Sequence, residues 1–379
     1  MIDKRLRHFV LDIYLIVRGC LLALLGYFMG RDRTRFEKKY VRKILVIRMG
    51  RLGDFVVTTP LLKALRKEFP SSKITLLGRK DICELAKKQP WIDDVITYDK
   101  TVSLSVFLKL ASKARKGAFD LAIDCLKDYP LRTAILAYLT HAPYRLGFDI
   151  AKRGVFFNLK AGPGQDKGTV GEEMLDLAAE LGIIPLDKMP EIVVSSADKS
   201  AVIGLMKVHG IREESFVVGI HPGGHYPSQR WGSANFVSLI DRLAKKFSID
   251  AALLGNNEEA ELLRSIRDKA AAKTHIFCTE SLGLLAALIG QVKLFIGNNS
   301  GPLHLAAALG KKTVSTSGPT DSRLWAPAGE GHIVLKKEVS CSPCNRPICE
   351  DHRCMELITV DEMFEAVSIE IERIKKVNG

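Results

Sequence analysis

The chain has 379 residues, room for two or three domains at about 150 residues each. With 47% hydrophobic and 26% charged residues it has the balance of a soluble globular protein, which excludes a collagen-like chain, a disordered polyelectrolyte and a polytopic membrane protein. Eight cysteines are too sparse for a disulfide scaffold, and no small-x-small cleavage site marks the first apolar run, so a cytoplasmic, reducing setting is expected.

The net charge of +13 is concentrated at the start, where residues 1–43 hold eleven Lys/Arg against four acids. No basic stripe with stacking aromatics runs through the rest, so nucleic acid is not an expected partner. Within the basic segment lies Phe9–Met29 (FVLDIYLIVRGCLLALLGYFM), apolar but for Asp12 and Arg18. As a helix it would reach about 30 Å, the thickness of a bilayer core. Each internal charge costs about 3 kcal/mol at the bilayer centre. Residues 1–42 are therefore read as an extension whose amphipathic helix lies on an anionic membrane surface. A helix packed on the body and a single span are the alternatives.

From Lys43 onward, short apolar runs alternate with amphipathic helices. Strands are expected at Lys43–Ile47, Lys73–Leu77, Val95–Tyr98, Leu121–Asp124 and Tyr144–Phe148. Helices are expected from the first turn through about Phe69, then near 81–88, 103–116, 130–140 and 169–182. Pro185 and Pro190 lie in a polar connection. A second cycle begins at Phe216–His221 and continues with strands at Asp250–Leu254, His275–Cys278, Leu294–Ile296 and Thr313–Thr316, separated by helices near 233–247, 257–271, 282–290 and 301–309. A charged helix near 360–376 ends the chain. Apolar strands separated by helices mean βαβ units and parallel sheets covered on both faces. The expected architecture is α/β, with a domain over 43–190, a second over 191–358 and a terminal helix in 359–379. Ligands of such sheets bind at the carboxyl ends of the strands.

Four segments at strand ends carry candidate chemistry. The first is Arg48-Met-Gly50-Arg-Leu-Gly53-Asp54, followed by Phe-Val-Val-Thr-Thr-Pro60. Gly50 and Gly53 permit a tight turn and close ligand approach. Asp54 is either an N-cap or a general base. Neither a dinucleotide fingerprint nor a P-loop is present. The second is His221-Pro-Gly223-Gly224-His-Tyr-Pro-Ser-Gln229-Arg230-Trp231. There Gly223 and Gly224 offer amides to a phosphate and Arg230 a bidentate partner, or the segment is a plain surface loop. The third, Leu254-Gly-Asn-Asn-Glu258-Glu259, places Glu258 for ribose hydroxyls or simply at a helix start that favours acids. The fourth is Gly297-Asn-Asn299-Ser300-Gly301-Pro302-Leu-His304, where Ser300 starts a helix whose positive end suits a diphosphate. His304 is either a buried core histidine or a phosphate contact. No Asp-x-Asp pair occurs in the chain, so a carboxylate-held catalytic metal has no obvious ligand set.

Taken together, these segments resemble glycosyltransferase family 9, the ADP-heptose–lipopolysaccharide heptosyltransferases, over about Lys43–Ile374. The resemblance implies a GT-B architecture of two Rossmann-like, doubly wound parallel-sheet domains facing a central cleft. It implies heptose transfer from ADP-heptose to a lipid-linked lipopolysaccharide-core acceptor, without a cofactor. Asp54 matches the family's proposed base, with Arg48, Gly50 and Gly53 on the acceptor-side loop. Gly223, Gly224, Arg230, Glu258, Asn299, Ser300, Gly301 and His304 fall to the donor. Two positions depart from the family pattern: Asn299 stands where aspartate is usual, and Gln229 where lysine is common. They keep open a degenerate protein that binds a nucleotide-sugar or glycolipid without transfer. A sugar-nucleotide epimerase is a weaker third reading.

Cys341, Cys344, Cys349 and Cys354 fall within fourteen residues, compatible with a structural Zn²⁺ or iron–sulfur site, with disulfides or with free thiols. Cys20, Cys83, Cys125 and Cys278 lie in apolar contexts and are expected as core fillers.

Overall fold

A computed structural model describes residues 4–29, 35–99, 102–162 and 168–378, the side chains of 4–12, 28–29 and 378 excepted. The chain divides into two units. One comprises 1–50, 60–167 and 172–188; the other comprises 51–59, 168–171 and 189–379. The second thus takes the short segment Arg51–Thr59, which the sequence reading assigned to the first domain.

In the first unit, six parallel strands stand in the order β3-β2-β1-β4-β5-β6. They are β1 Lys43–Ile47, β2 Lys73–Arg79, β3 Asp94–Tyr98, β4 Leu121–Asp124, β5 Tyr144–Phe148 and β6 Leu159–Ala161. Ile44, Leu45, Val46 and Ile47 are all fully buried, as a central parallel strand with both faces covered requires. The second unit repeats the order as β12-β11-β10-β7-β8-β9. Its strands are β7 Val217–His221, β8 Asp250–Gly255, β9 Thr274–Cys278, β10 Leu294–Asn298, β11 Lys312–Ser317 and β12 His332–Lys336. Both are the doubly wound Rossmann order, and both sheets carry helices. The terminal helix Val360–Asn378 belongs to the second unit's core, with Met363, Val367 and Ile371 buried among Phe236, Leu243 and Val314.

The sequence pattern did not mark the edge strands β6 and β12, the helix Ser196–Val208, or several one-turn helices such as Ser322–Trp325 and Arg353–Glu356. The Ser196–Val208 helix starts at Ser195, whose hydroxyl accepts from the Asp198 amide.

The first helix, α1 (Lys4–Met29), packs one stripe on its own unit. Leu22 is buried in that unit's core, and Arg18 donates to the carbonyls of Tyr129 (2.6 Å) and Ala151 (3.0 Å). Its outward residues over 13–27 are apolar. Among the described side chains it therefore shows no polar outward face. No described helix is long and apolar enough to cross a membrane.

The single helix expected after β1 is two, α2 (Leu52–Val56) and α3 (Thr59–Glu68). The Thr58 hydroxyl bonds the Asp54 carbonyl and the Thr59 hydroxyl bonds that of Val56, both at 2.7 Å. These bonds close α2 before Pro60, which lacks an amide for a continuing ladder.

Candidate active site in the second unit

The site grows from the carboxyl end of β10. Asn298, the last residue of that strand, is fully buried and satisfies its amide four times. Its Nδ2 donates to the carbonyls of Pro222 (2.9 Å) and Gly223 (2.7 Å). Its Oδ1 accepts from the Trp231 amide (3.1 Å) and the Thr316 hydroxyl (2.9 Å). One side chain thus ties the 222–231 loop to two strand ends. A trans peptide sets its N–H opposite its C=O, so the amides of Gly223 and Gly224 point away from Asn298.

The loop is fixed at three further points. The buried Trp231 indole donates to the Ile358 carbonyl (2.7 Å). Gln229 accepts from the Tyr226 amide (3.2 Å) and donates to Thr320 (3.1 Å), so the glutamine braces its own loop. Arg230 spends two N–H groups on the Gly224 carbonyl, at 3.0 and 3.2 Å. Gly232 then turns the chain at φ +95°, a conformation costly for any residue with a Cβ, and the Ser233–Lys246 helix begins.

Beyond Asn298 come Asn299 and Ser300, then the helix Gly301–Ala308. The Asn299 amide donates to the Thr316 carbonyl (2.9 Å), and its side chain is buried. Ser300 holds the N-cap position with extended backbone, but its hydroxyl makes no cap bond. That buried oxygen has no partner among the described residues. Unpaired buried hydroxyls are uncommon, and one at a helix N-terminus is suited to an anion.

Against this helix lies α2. A Cβ on Gly301 would stand 3.1 Å from the Leu52 Cβ and 3.2 Å from the Gly53 nitrogen; one on Gly53 would stand 3.2 Å from the His304 ring. Two glycines therefore let the helices touch backbone to backbone. Asp54 is the third residue of α2, and its carboxylate accepts from the Arg51 amide (2.7 Å). Arg51, not Asp54, occupies the N-cap, and its guanidinium reaches the Tyr226 hydroxyl (3.1 Å) on the 222–231 loop. His304 is buried, and burial pushes its pKa down to about 4 although the Asp54 charge opposes this. At neutral pH its imidazole is uncharged.

The third segment is placed differently from its sequence reading. Glu258 is exposed on a short turn, whereas Glu259 folds back under Gly223. Glu259 accepts from the Asn256 amide (3.1 Å) and lies 3.3 Å from His221 Nε2. Burial alone would raise its pKa, but the His221 contact and the charge of Arg230 hold it below the usual range. Arg48 belongs to the first unit, nearly buried, with its guanidinium on the Cys125 carbonyl (2.6 Å); Gly50 ends that same unit's segment. The second unit therefore gathers Gly53, Asp54, Gly223, Gly224, Arg230, Asn299, Ser300, Gly301 and His304. Asn298, Arg51 and Tyr226 join them, none singled out by the sequence pattern. Only the Asn-Asn doublet gave a signal.

The family model of glycosyltransferase family 9 (heptosyltransferase) matches residues 107–353. The chain belongs to glycosyltransferase family 9. It is thus a glycosyltransferase, as the sequence resemblance implied. Lipopolysaccharide heptosyltransferase 3 of Escherichia coli is 25% identical over 287 residues, 73% of this chain and 83% of that one. Lipooligosaccharide heptosyltransferase 2 of Haemophilus ducreyi is 23% identical over 313 residues, 78% and 88% respectively. Among solved structures, a family 9 glycosyltransferase from Veillonella parvula superposes with a TM-score of 0.76 at 23% identity, covering 90% of this chain and 99% of that one. E. coli ADP-heptose lipopolysaccharide heptosyltransferase II gives 0.72 at 20%, covering 88% and 99%. These likenesses carry the GT-B fold.

In this family 9 chain none of the eight cysteines is in a disulfide. Cys83 and Cys125 are core fillers as expected, but Cys20 and Cys278 are exposed. Cys354 is buried, which raises its thiol pKa to about 11 with help from the neighbouring thiols. Among the described residues no group of three or more His, Cys, Asp or Glu side chains is arranged to hold a metal ion, so the zinc or iron–sulfur reading of the Cys341–Cys354 loop has no support. The loop instead braces the 222–231 loop, since the Ser228 hydroxyl donates to the Arg346 carbonyl and His352 contacts the Ser228 carbonyl.

Proposed function

We propose that the chain transfers a heptose from ADP-heptose to a hydroxyl of a lipid-linked lipopolysaccharide-core acceptor, by a single inverting displacement without a metal. The domain division expected from the sequence gives residues 43–190 to the acceptor and 191–358 to the nucleotide-sugar. The observation that carries the reading is the unpartnered, buried Ser300 hydroxyl at the start of the Gly301–Ala308 helix, against which α2 holds Asp54. The acceptor oxygen attacks the anomeric carbon, its proton passes to Asp54, and the bond to the β-phosphate oxygen breaks with the electron pair leaving on ADP. The helix terminus, Ser300, Arg230 and the Gly223 and Gly224 amides meet the charge that develops on the leaving group. Asn299, His304 and a carboxylate of the Glu258–Glu259 pair complete the donor side. Neutral His304 avoids a fixed charge beside the base. Heptosyltransferase names among the relatives and an E. coli heptosyltransferase solved with ADP support this choice of donor. The reading places the enzyme in the cytoplasm, at the inner face of the inner membrane where such acceptors are exposed.

The test is incubation with ADP-heptose and a heptose-deficient lipopolysaccharide acceptor, with and without chelator. Equal yields of ADP and heptosylated lipid, unchanged by chelator, are expected. ADP binding without transfer, or activity restored only by a divalent ion, would overturn the reading.

A further inference from the structure

In the sequence Arg18 is a charge interrupting an apolar run. The structure turns it inward, 7% exposed, onto two backbone carbonyls of the first unit. Gly19 and Gly26 join Arg18 and Leu22 on that inner stripe, Gly26 pressed close to Val155. What remains outward over residues 13–27 carries no charge. Ile16 (66%), Leu21 (63%), Leu24 (56%) and Tyr27 (82%) are widely open, with Ile13, Tyr14 and Val17 beside them. So many adjacent exposed apolar side chains mark an interaction surface, because soluble monomers rarely expose a contiguous patch of this kind.

Two observations choose the occupant. Lys4, Arg5 and Arg7 stand at the start of α1, and Arg31, Arg33 and Arg35 follow its end in sequence. Both ends are therefore basic. A second copy paired through this face, parallel or antiparallel, would set like charges against each other at each end. An anionic lipid leaflet matches both the apolar middle and the basic ends. In addition, an open groove lies beside the helix, lined by Leu15, Ile16, Gly19, Cys20 and Ala23 of α1 and by Ala151 and exposed Lys152 of the body. Lys152 thus sets a cation beside the groove.

We propose that α1 is a lipid-docking helix lying in the plane of an anionic leaflet, its Ile13–Tyr27 face immersed and its Arg18–Leu22 stripe fastened to the first unit. An ordinary in-plane helix turns a polar face to water; here the protein body takes that place. Arg18 then couples the leaflet to the loop after β4, through the Tyr129 carbonyl. The inference goes beyond the proposed reaction and holds whichever sugar is moved.

The test is flotation of the full chain with phosphatidylglycerol-rich vesicles and with phosphatidylcholine vesicles, no sugar being present. Wild type is expected to float with the anionic vesicles, and Leu21→Glu/Leu24→Glu to partition at least tenfold more weakly with unchanged thermal melting. Leu104→Glu, a still more exposed site elsewhere on the first unit, is the control and should float like wild type. An Ile16→Trp variant should be quenched by brominated lipid. Equal flotation of the double variant and wild type, or no quenching at position 16, would overturn the proposal. So would a self-associated species, seen without lipid, that the double variant abolishes, since it would give the face to a second copy.

Discussion

Replacing Asn298 by aspartate changes almost no volume and removes two donors from a fully buried position. The carbonyls of Pro222 and Gly223 would then face an oxygen in place of Nδ2, while Trp231 and Thr316 keep their acceptor. Losing two hydrogen bonds at about 1 kcal/mol each, and leaving two buried carbonyls unpaired, sums to about 4 kcal/mol. At about 2–4 °C per kcal/mol for a unit of this size, Asn298→Asp should melt roughly 8–16 °C below wild type by scanning calorimetry. The introduced carboxyl would hold its proton more tightly when folded than when unfolded. Its penalty should therefore be smallest at low pH and grow as pH rises above about 4. ADP affinity, read by titration calorimetry, should fall with the loosened loop. A melting point within about 3 °C of wild type would refute the claim that this amide organises the site.

Three further outcomes follow from the same geometry. Gly301→Val puts a branched side chain where even a Cβ stands 3.1 Å from Leu52, so it should cost about 1–3 kcal/mol in denaturant unfolding and reduce transfer at least tenfold as α2 is pushed off. His304 stays neutral when folded down to about pH 4, whereas the unfolded chain takes up its proton near pH 6.5. Stability should therefore be fully present above about pH 6.5 and fall by up to about 3 kcal/mol toward pH 4, a slope that a His304→Gln variant should flatten in chemical denaturation at stepped pH. In the first unit, Arg153→Leu strands the wholly buried Asp124 carboxylate that Arg153 now pairs, and should cost about 3–5 kcal/mol in urea unfolding.

Much of this fold was legible because central parallel strands write themselves as unbroken apolar runs. Lys43–Ile47, Leu121–Asp124 and Tyr144–Phe148 stand where their patterns place them. Edge strands carry no such mark: β6 is three residues long, and β12 is only partly buried along its length. The Ser196–Val208 helix had its signal in Ser195 and Asp198, hidden by the prolines before it. Within the site, glycines and the Ser300 helix start were readable, since turns and N-termini have local signatures. The choice of Glu259 over Glu258 was not, because one step along a tight turn decides which carboxylate folds inward. The roles of Asn298 and Arg18 depend on carbonyls 76 and 111 residues away in sequence, which no local pattern encodes.

The most direct measurement is single-turnover sugar transfer by Asp54→Asn, paired with ADP binding to the same variant. Asparagine still accepts from the Arg51 amide, so α2 and its contact with Gly301 should stay in place. Only the capacity to take a proton is lost. Transfer should drop about 10²–10⁴-fold, the usual worth of a positioned base, with ADP affinity within about threefold of wild type. Transfer at the wild-type rate would contradict the assignment of Asp54 as the base.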